Sequence, residues 1–180
     1  MAAKNPERIL IVGAAGSGKN FLGEKLSKIT GLKLYDLDDA YFIRKFDKPR
    51  PKHLRKGVAD RMANRKKWII VGLHVFDWAS TAFEKADLII LLNEKLAVET
   101  VRMIRRYLRR KEKGKMMESV PSLLKLIKDN YYCFHHYKGK GRVVAKEIKE
   151  KHADKLLVLS SRKEVEEFVI KINEAYKRCL

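Results

Sequence analysis

The sequence predicts an α/β fold: an open, mostly parallel sheet with helices on both faces. Three observations point there. Five segments that read as strands recur at 8–12, 32–37, 67–72, 87–93 and 155–159, most of them continuous apolar runs. Helical stretches separate them. A glycine-rich turn, "GAAGSGK" (13–19), joins the first run to the first helix. Runs that are apolar throughout, rather than alternating, suit strands covered on both faces. Strands alternating with helices imply right-handed crossovers and a parallel sheet.

The first helix follows Gly18, with Phe21, Leu22, Leu26 and Ile29 as its apolar stripe and Gly31 as its stop. Leu96, Val101, Ile104 and Leu108 form a second stripe. A third helix is expected from Val120 to Phe134, since Pro121 is tolerated in a first turn. Val165, Phe168, Val169 and Ile172 mark a last helix, with Ser160 or Ser161 as its N-cap. Trp68 is expected to pack at the start of the third strand. The expected loops are 44–57, with Pro49 and Pro51, and 110–120. No repeat or low-complexity linker interrupts the chain. Residues 1–180 therefore read as one domain, with a small basic helical lid around 102–142.

Hydrophobic residues make up 46% of the chain, which suits a globular fold. No apolar run nears the ~20 residues that span a bilayer, and the N-terminal run lacks a signal-peptide layout. Cys133 and Cys179 give neither metal-ligand spacing nor a disulfide framework, so the expected compartment is the cytoplasm. The net charge is +19, from 41 Lys and Arg against 22 Asp and Glu. Such a balance favours polyanionic partners, nucleotides and nucleic acid among them. Nothing in the sequence sets an oligomeric state.

Gly13, Ala14, Ala15, Gly16, Ser17, Gly18 and Lys19 fit G-x-x-x-x-G-K between a strand and a helix, the context that gives the motif its meaning. The glycines let the backbone curl and aim N–H groups at an anion. The helix N-terminus adds partial positive charge, and Lys19 reaches the terminal phosphates. A glycine-rich turn in an ordinary doubly wound sheet would leave Lys19 unexplained. The next position, normally Ser or Thr, is Asn20. A hydroxyl there ligates Mg²⁺. A carboxamide oxygen can also ligate a hard cation, with a bulkier group and a differently placed dipole.

"YDLDDAYF" (35–42) puts Asp36, Asp38 and Asp39 at the end of the second strand, where open α/β sheets bind ligands. A carboxylate there could take a proton from a substrate hydroxyl or hold Mg²⁺. Alternatively, Asp38 or Asp39 simply opens a helix. Asp38 is the preferred functional choice and, with Asn20, the preferred metal ligand. Residues 102–115, "RMIRRYLRRKEKGK", hold eight basic residues and one acidic one. Arg102, Arg106 and Arg109 share a helix face. Planar guanidinium groups suit phosphate contacts, and a solvated face is the blander alternative. "NYYCFHHYKGKGR" (130–142) interleaves aromatics with basic residues, which suits base stacking, although Tyr131, Phe134 and Tyr137 at helical spacing more simply pack inward. His135 and His136 are adjacent and make a poor metal pair. His74 follows the third strand and could line the site.

Taken in order, these segments resemble the adenylate-kinase-like P-loop kinases, and within them the small topology-modulation (FlaR-type) kinases. The likeness runs from "GAAGSGKN" through "LYDLDDAYF", "RMANRKKWIIVG" and "FEKADLIILLNEKLAVETVRMIRRYLRR" to "LLVLSSRKEVEEFV". It implies a three-layer fold with a five-stranded parallel sheet in the order 2-3-1-4-5, ATP as donor and Mg²⁺ as cofactor. It also implies that Arg102 and Arg106, matching an Arg-x-x-x-Arg pair after the fourth strand, contact the phosphates. Ser161 and Arg162, after the fifth strand, would lie near the adenine. The chain departs from the pattern at Asn20, at Val71 and His74 after the third strand's apolar run, and at Asn93 after the fourth. These departures fall on metal positioning rather than on nucleotide binding. The expected function is phosphoryl transfer from ATP to a nucleotide, nucleoside or other small hydroxyl compound. Catalysis would rest on Lys19, Asp38, Arg102 and Arg106. The alternatives are a nucleotide-binding module that engages nucleic acid, and an NTP hydrolase.

Overall fold

The computed structural model describes residues 5–44, 48–72, 77–112, 128 and 143–178. The strands are β1 (Arg8–Gly13), β2 (Leu34–Asp36), β3 (Phe42–Arg44), β4 (Lys48–Pro49), β5 (Trp68–Gly72), β6 (Leu88–Leu92) and β7 (Leu156–Leu159). The helices are α1 (Lys19–Thr30), α2 (Asp38–Tyr41), α3 (Lys52–Ala63), α4 (Ser80–Lys85), α5 (Leu96–Glu112), α6 (Val143–His152) and α7 (Arg162–Lys177). β2, β5, β1, β6 and β7 form one five-stranded sheet in that order, and every pairing is parallel. Counting those five alone, the order is 2-3-1-4-5, as the family resemblance implied. β3 and β4 form a separate antiparallel pair.

The continuous apolar runs are explained by the two faces of this sheet. Leu10, Ile70, Ile89 and Leu91 face Ala59 and Ala63 of α3, Phe83 of α4 and Ile148 of α6. Ile9, Ile11, Ile69 and Ile90 face Leu22 and Leu26 of α1 and Val169 and Ile172 of α7. Truncating such a buried Ile or Leu to Ala costs about 2–5 kcal/mol. Trp68 is fully buried, and its Nε1–H donates to Ala63 O at 3.1 Å. That bond satisfies the one polar group the indole brings into the core. The bottom of the sheet is tied by Asp87. Its Oδ2 accepts from the Glu7 and Arg8 backbone N–H groups, and its Oδ1 from Arg8 Nε and Nη2.

Ser161 caps α7. Its Oγ accepts from Glu164 N, while Glu164 Oε2 accepts from Ser160 N, one residue before the cap. Three local expectations are corrected. Segment 44–57 is not loop throughout: β4 and α3 occupy much of it. Pro51 is the N-cap of α3, where its missing N–H costs nothing. On α5 the buried positions among the described side chains are Glu99 and Met103, whereas Val101 and Leu108 are about half exposed. On α1, Leu22 and Leu26 are buried but Phe21 is 69% exposed. It lies about 100° around the helix from Leu22, off the face that meets the sheet. The helix expected at 120–134 (residue 128 apart), the aromatic-basic segment 130–142, His74 and both cysteines lie outside the described residues. So does most of the lid expected over 102–142, whose first part is α5. No helix among the described residues is long and apolar enough to cross a membrane.

His152, at the end of α6, stacks on Phe83 of α4 with ring centroids 5.8 Å apart. Burial, and then the nearby Lys155, hold its imidazole below the usual 6.5. The neutral form is thus favoured in the fold. This contribution is present above about pH 6.5 and is lost as pH falls through the lowered value. His152→Phe keeps the stack and removes the titration. Thermal melts should show a smaller loss of Tm between about pH 7.5 and pH 5 in the variant than in the native chain.

Candidate active site

The loop after β1 curls because two of its glycines adopt backbone angles that side chains disfavour. Gly16 has φ 83° and Gly18 φ 94°, both left-handed. Gly18 is also the N-cap of α1. Ser17 N donates to Ala14 O at 3.2 Å, which closes the turn. Gly16 lies so close to α5 that a Cβ there would stand 2.5 Å from Glu99 O. Ser17 is buried, and its Oγ has no hydrogen-bond partner among the described residues. Lys19 Nζ donates back to Ala14 O at 3.4 Å, folding the ammonium over the loop.

α5 delivers the arginine. Arg102 sits one turn beyond Glu99, and its Nη1 donates to Gly16 O at 3.4 Å and Ser17 O at 3.5 Å. Its Nη2 meets Glu94 Oε2 at 3.3 Å. Arg106, one further turn along, is exposed and shares a cavity of about 270 Å³ with Gly16, Gly18, Lys19, Asn20 and Arg102. The loop, the lysine and both predicted arginines therefore meet in one place. Arg109 is exposed and does not line that cavity. A second cavity, about 480 Å³, opens on the other side of the loop between α1 and α7. Arg162 lines it, but Ser161 does not.

Asn20 Nδ2 donates to Asp36 Oδ2 at 3.3 Å. Asp36, the last residue of β2, is thus the carboxylate that meets the Asn20 amide. Asp38 follows at the start of α2, where its N–H donates to Asp36 Oδ1 at 2.9 Å. One carboxylate holds both the Asn20 amide and the turn that carries Asp38. Arg50 fixes the same segment from behind: its guanidinium donates to Ala40 O, Asp39 O and Phe42 O. Arg55 lies 4.0 Å over the Tyr41 ring. Val71 is buried in β5 and its carbonyl accepts from Leu37 N at 2.8 Å, so that position is structural. Asn93 is exposed and continues the ladder onto Leu159 O at 2.8 Å.

Sequence reasoning passed over three residues. Asp36 was visible as one of three acids, but only the strand end shows that it meets Asn20. Glu94 carried no motif and appears only as the partner of Arg102. Arg50 looked like one charge among many.

No protein-family model matches the sequence, and no curated protein matches it. Solved structures do. A gluconokinase from Sinorhizobium meliloti 1021 is 18% identical, with 97% of this chain and 93% of that one covered, at a TM-score of 0.53. Shikimate kinase from Acinetobacter baumannii is 15% identical, with 95% and 93% covered, at 0.58. Shikimate kinase from Bacteroides thetaiotaomicron is 15% identical, with 96% and 99% covered, at 0.56. The chain has the fold of these kinases. At such identities the likeness speaks for the fold alone.

Gly16→Ala should damage both loop and fold. The left-handed angle penalises any Cβ, and the backbone carbonyl at 2.5 Å cannot swing aside as a side chain would. A loss of about 1–3 kcal/mol is expected by denaturant titration, with weakened nucleotide binding by calorimetry.

Proposed function

We propose that this chain is an ATP-dependent phosphotransferase of the adenylate-kinase-like kind, acting on a small hydroxyl acceptor. One observation carries the reading. A G-x-x-x-x-G-K loop with left-handed Gly16 and Gly18 opens α1, and Lys19, Arg102 and Arg106 converge on it.

Backbone N–H groups of 13–19 and the N-terminus of α1 would hold the phosphates. Lys19 would exchange its bond to Ala14 O for the terminal phosphates. Asp38 would orient the acceptor hydroxyl and take its proton. The acceptor oxygen then bonds to the γ-phosphorus as the bond to the ADP oxygen breaks. Arg102 and Arg106 would offset charge on the transferred group. Little covalent chemistry falls to the protein, and positioning does most of the work.

Mg²⁺ suits these residues. It commonly takes one or two carboxylates plus substrate phosphates and keeps several waters. Asp36 and the Asn20 carboxamide, in contact with each other at the mouth of the loop, offer a donor set of that kind, and Asp38 lies beside them. Among the described residues no group of three or more His, Cys, Asp or Glu could hold a metal, which favours an ion that arrives with the nucleotide. Held by Asp36 and the Asn20 carboxamide, it would supply positive charge that offsets the charge of the phosphates.

The +19 charge supports a second reading, a nucleotide-binding module that engages nucleic acid. The two separate cleanly. A kinase consumes ATP only when an acceptor is supplied, and Lys19→Ala should lower turnover by about a hundred-fold or more. A binding module shows nucleic-acid affinity that falls with salt and survives Lys19→Ala. An ATP-consumption screen over nucleoside monophosphates, nucleosides, sugar acids and small alcohols distinguishes them. Bound ATP with no turnover for any acceptor would reject the kinase. In the same screen Asn20→Thr should raise Mg²⁺-supported turnover, because a hydroxyl replaces a bulkier amide that Asp36 already occupies.

A further inference from the structure

Phe21 directly follows the phosphate-binding motif and is 69% exposed, although the neighbouring Leu22 is buried. A single exposed aromatic ring is ordinary on a protein surface. This one lines both cavities that open on the loop, the smaller with Lys19 and the larger with Leu22, Leu92 and Val169. Gly18 and Arg102 are the other residues common to the two. A ligand anchored by phosphates at Lys19 would therefore pass Phe21 on its way into the larger cavity. At about 480 Å³ that cavity is within the size range of small-molecule sites. One wall, of Leu22, Leu92, Val165 and Val169, is apolar and suits the face of a flat group, while Lys25, Arg102 and Arg162 line the rest.

The acidic side chains of this cavity are engaged. Glu94 meets Arg102 at 3.3 Å and Glu166 meets Arg162 at 2.7 Å. Guanine and adenine differ at their edges, where guanine offers N–H donors at N1 and N2 and adenine an amino group at N6. A site separates them by placing an acceptor at the right edge. Among the described residues the carboxylates lining this cavity, Glu94 and Glu166, are paired with arginines, while an aromatic face stands exposed at the entrance. Stacking on such a face is tolerant of base identity.

We infer that Phe21 is the base-stacking residue of this site, and that the larger cavity takes a purine by its face, accepting adenine and guanine nucleotides alike. The inference rests on the phosphate-binding reading of the loop given above.

Calorimetric titration of the full chain with ATP, GTP and inorganic tripolyphosphate tests it, using Phe21→Ala, Phe21→Leu and Phe21→Trp beside the native protein. ATP and GTP should bind the native chain within about three-fold of each other. Phe21→Ala should weaken both roughly ten-fold, in line with the loss of one base stack. Phe21→Leu should behave like Ala despite its apolar bulk, and Phe21→Trp should restore affinity. Tripolyphosphate should bind all four proteins equally, and their melting temperatures should agree, since the ring is exposed. Unchanged ATP affinity in Phe21→Ala would overturn the inference, as would a preference for one purine above about thirty-fold. Tripolyphosphate affinity falling together with ATP would also overturn it, by making Phe21 a support for the loop. A native chain that binds tripolyphosphate as tightly as ATP loses the base cavity and keeps the phosphate cradle. A native chain that binds neither loses the cradle itself.

Discussion

The close approach of the loop backbone to α5 is the constraint on which the site depends. Gly16 touches the Glu99 carbonyl with no room for a Cβ. That contact fixes the depth at which α5 sits against the loop. Because a helix repeats every 3.6 residues, fixing Glu99 also fixes Arg102 and Arg106, one and two turns on. Arg102 can then lie on Gly16 O and Ser17 O, and Arg106 can reach the same cavity. The glycine serves the loop twice: it permits the left-handed turn, and it admits the helix that carries the cations.

Charge placement follows from the same geometry. Lys19 and Arg102 are both held by loop carbonyls, the groups that an incoming phosphate does not need. Glu94 balances Arg102 at the far side. A guanidinium bound this way is pre-organised, so little side-chain freedom is lost when an anion arrives. On the opposite wall, Asp36 links the Asn20 amide to the turn carrying Asp38. The Asn20 carboxamide thus reaches beyond its own position. It ties the loop to the acidic segment before any metal is present.

Much of the fold was legible in the sequence. The apolar runs of β1, β5 and β6 were readable because strands covered on both faces are apolar at nearly every position. The edge strands β2 and β7 are only partly buried, and β2 carries Asp36. Gly31 and the Ser161 cap were equally readable, since both act through local backbone geometry. The α5 stripe was not. Val101 and Leu108 looked like its buried face, but α5 turns Glu99 and Met103 inward. An amphipathic pattern shows that a helix has two faces without saying which neighbour each one meets. The same holds for Phe21, whose exposure depends on where α1 touches the sheet. The sequence favoured Asp38 of the three acids, and only the packed strand end shows that Asp36 is the one bonded to Asn20.

The sequence by itself determined the glycine-rich loop between the first strand and the first helix and the presence of arginines one helical turn apart. Both are encoded by neighbours along the chain, whereas the strand order came from the family resemblance. Tertiary structure alone decided which carboxylate faces Asn20, which acid holds Arg102, and that the ring after the motif stands at the junction of two cavities. Those facts join residues 16, 8 and more than 140 positions apart, and only the packing of helices on the sheet sets distances across such separations.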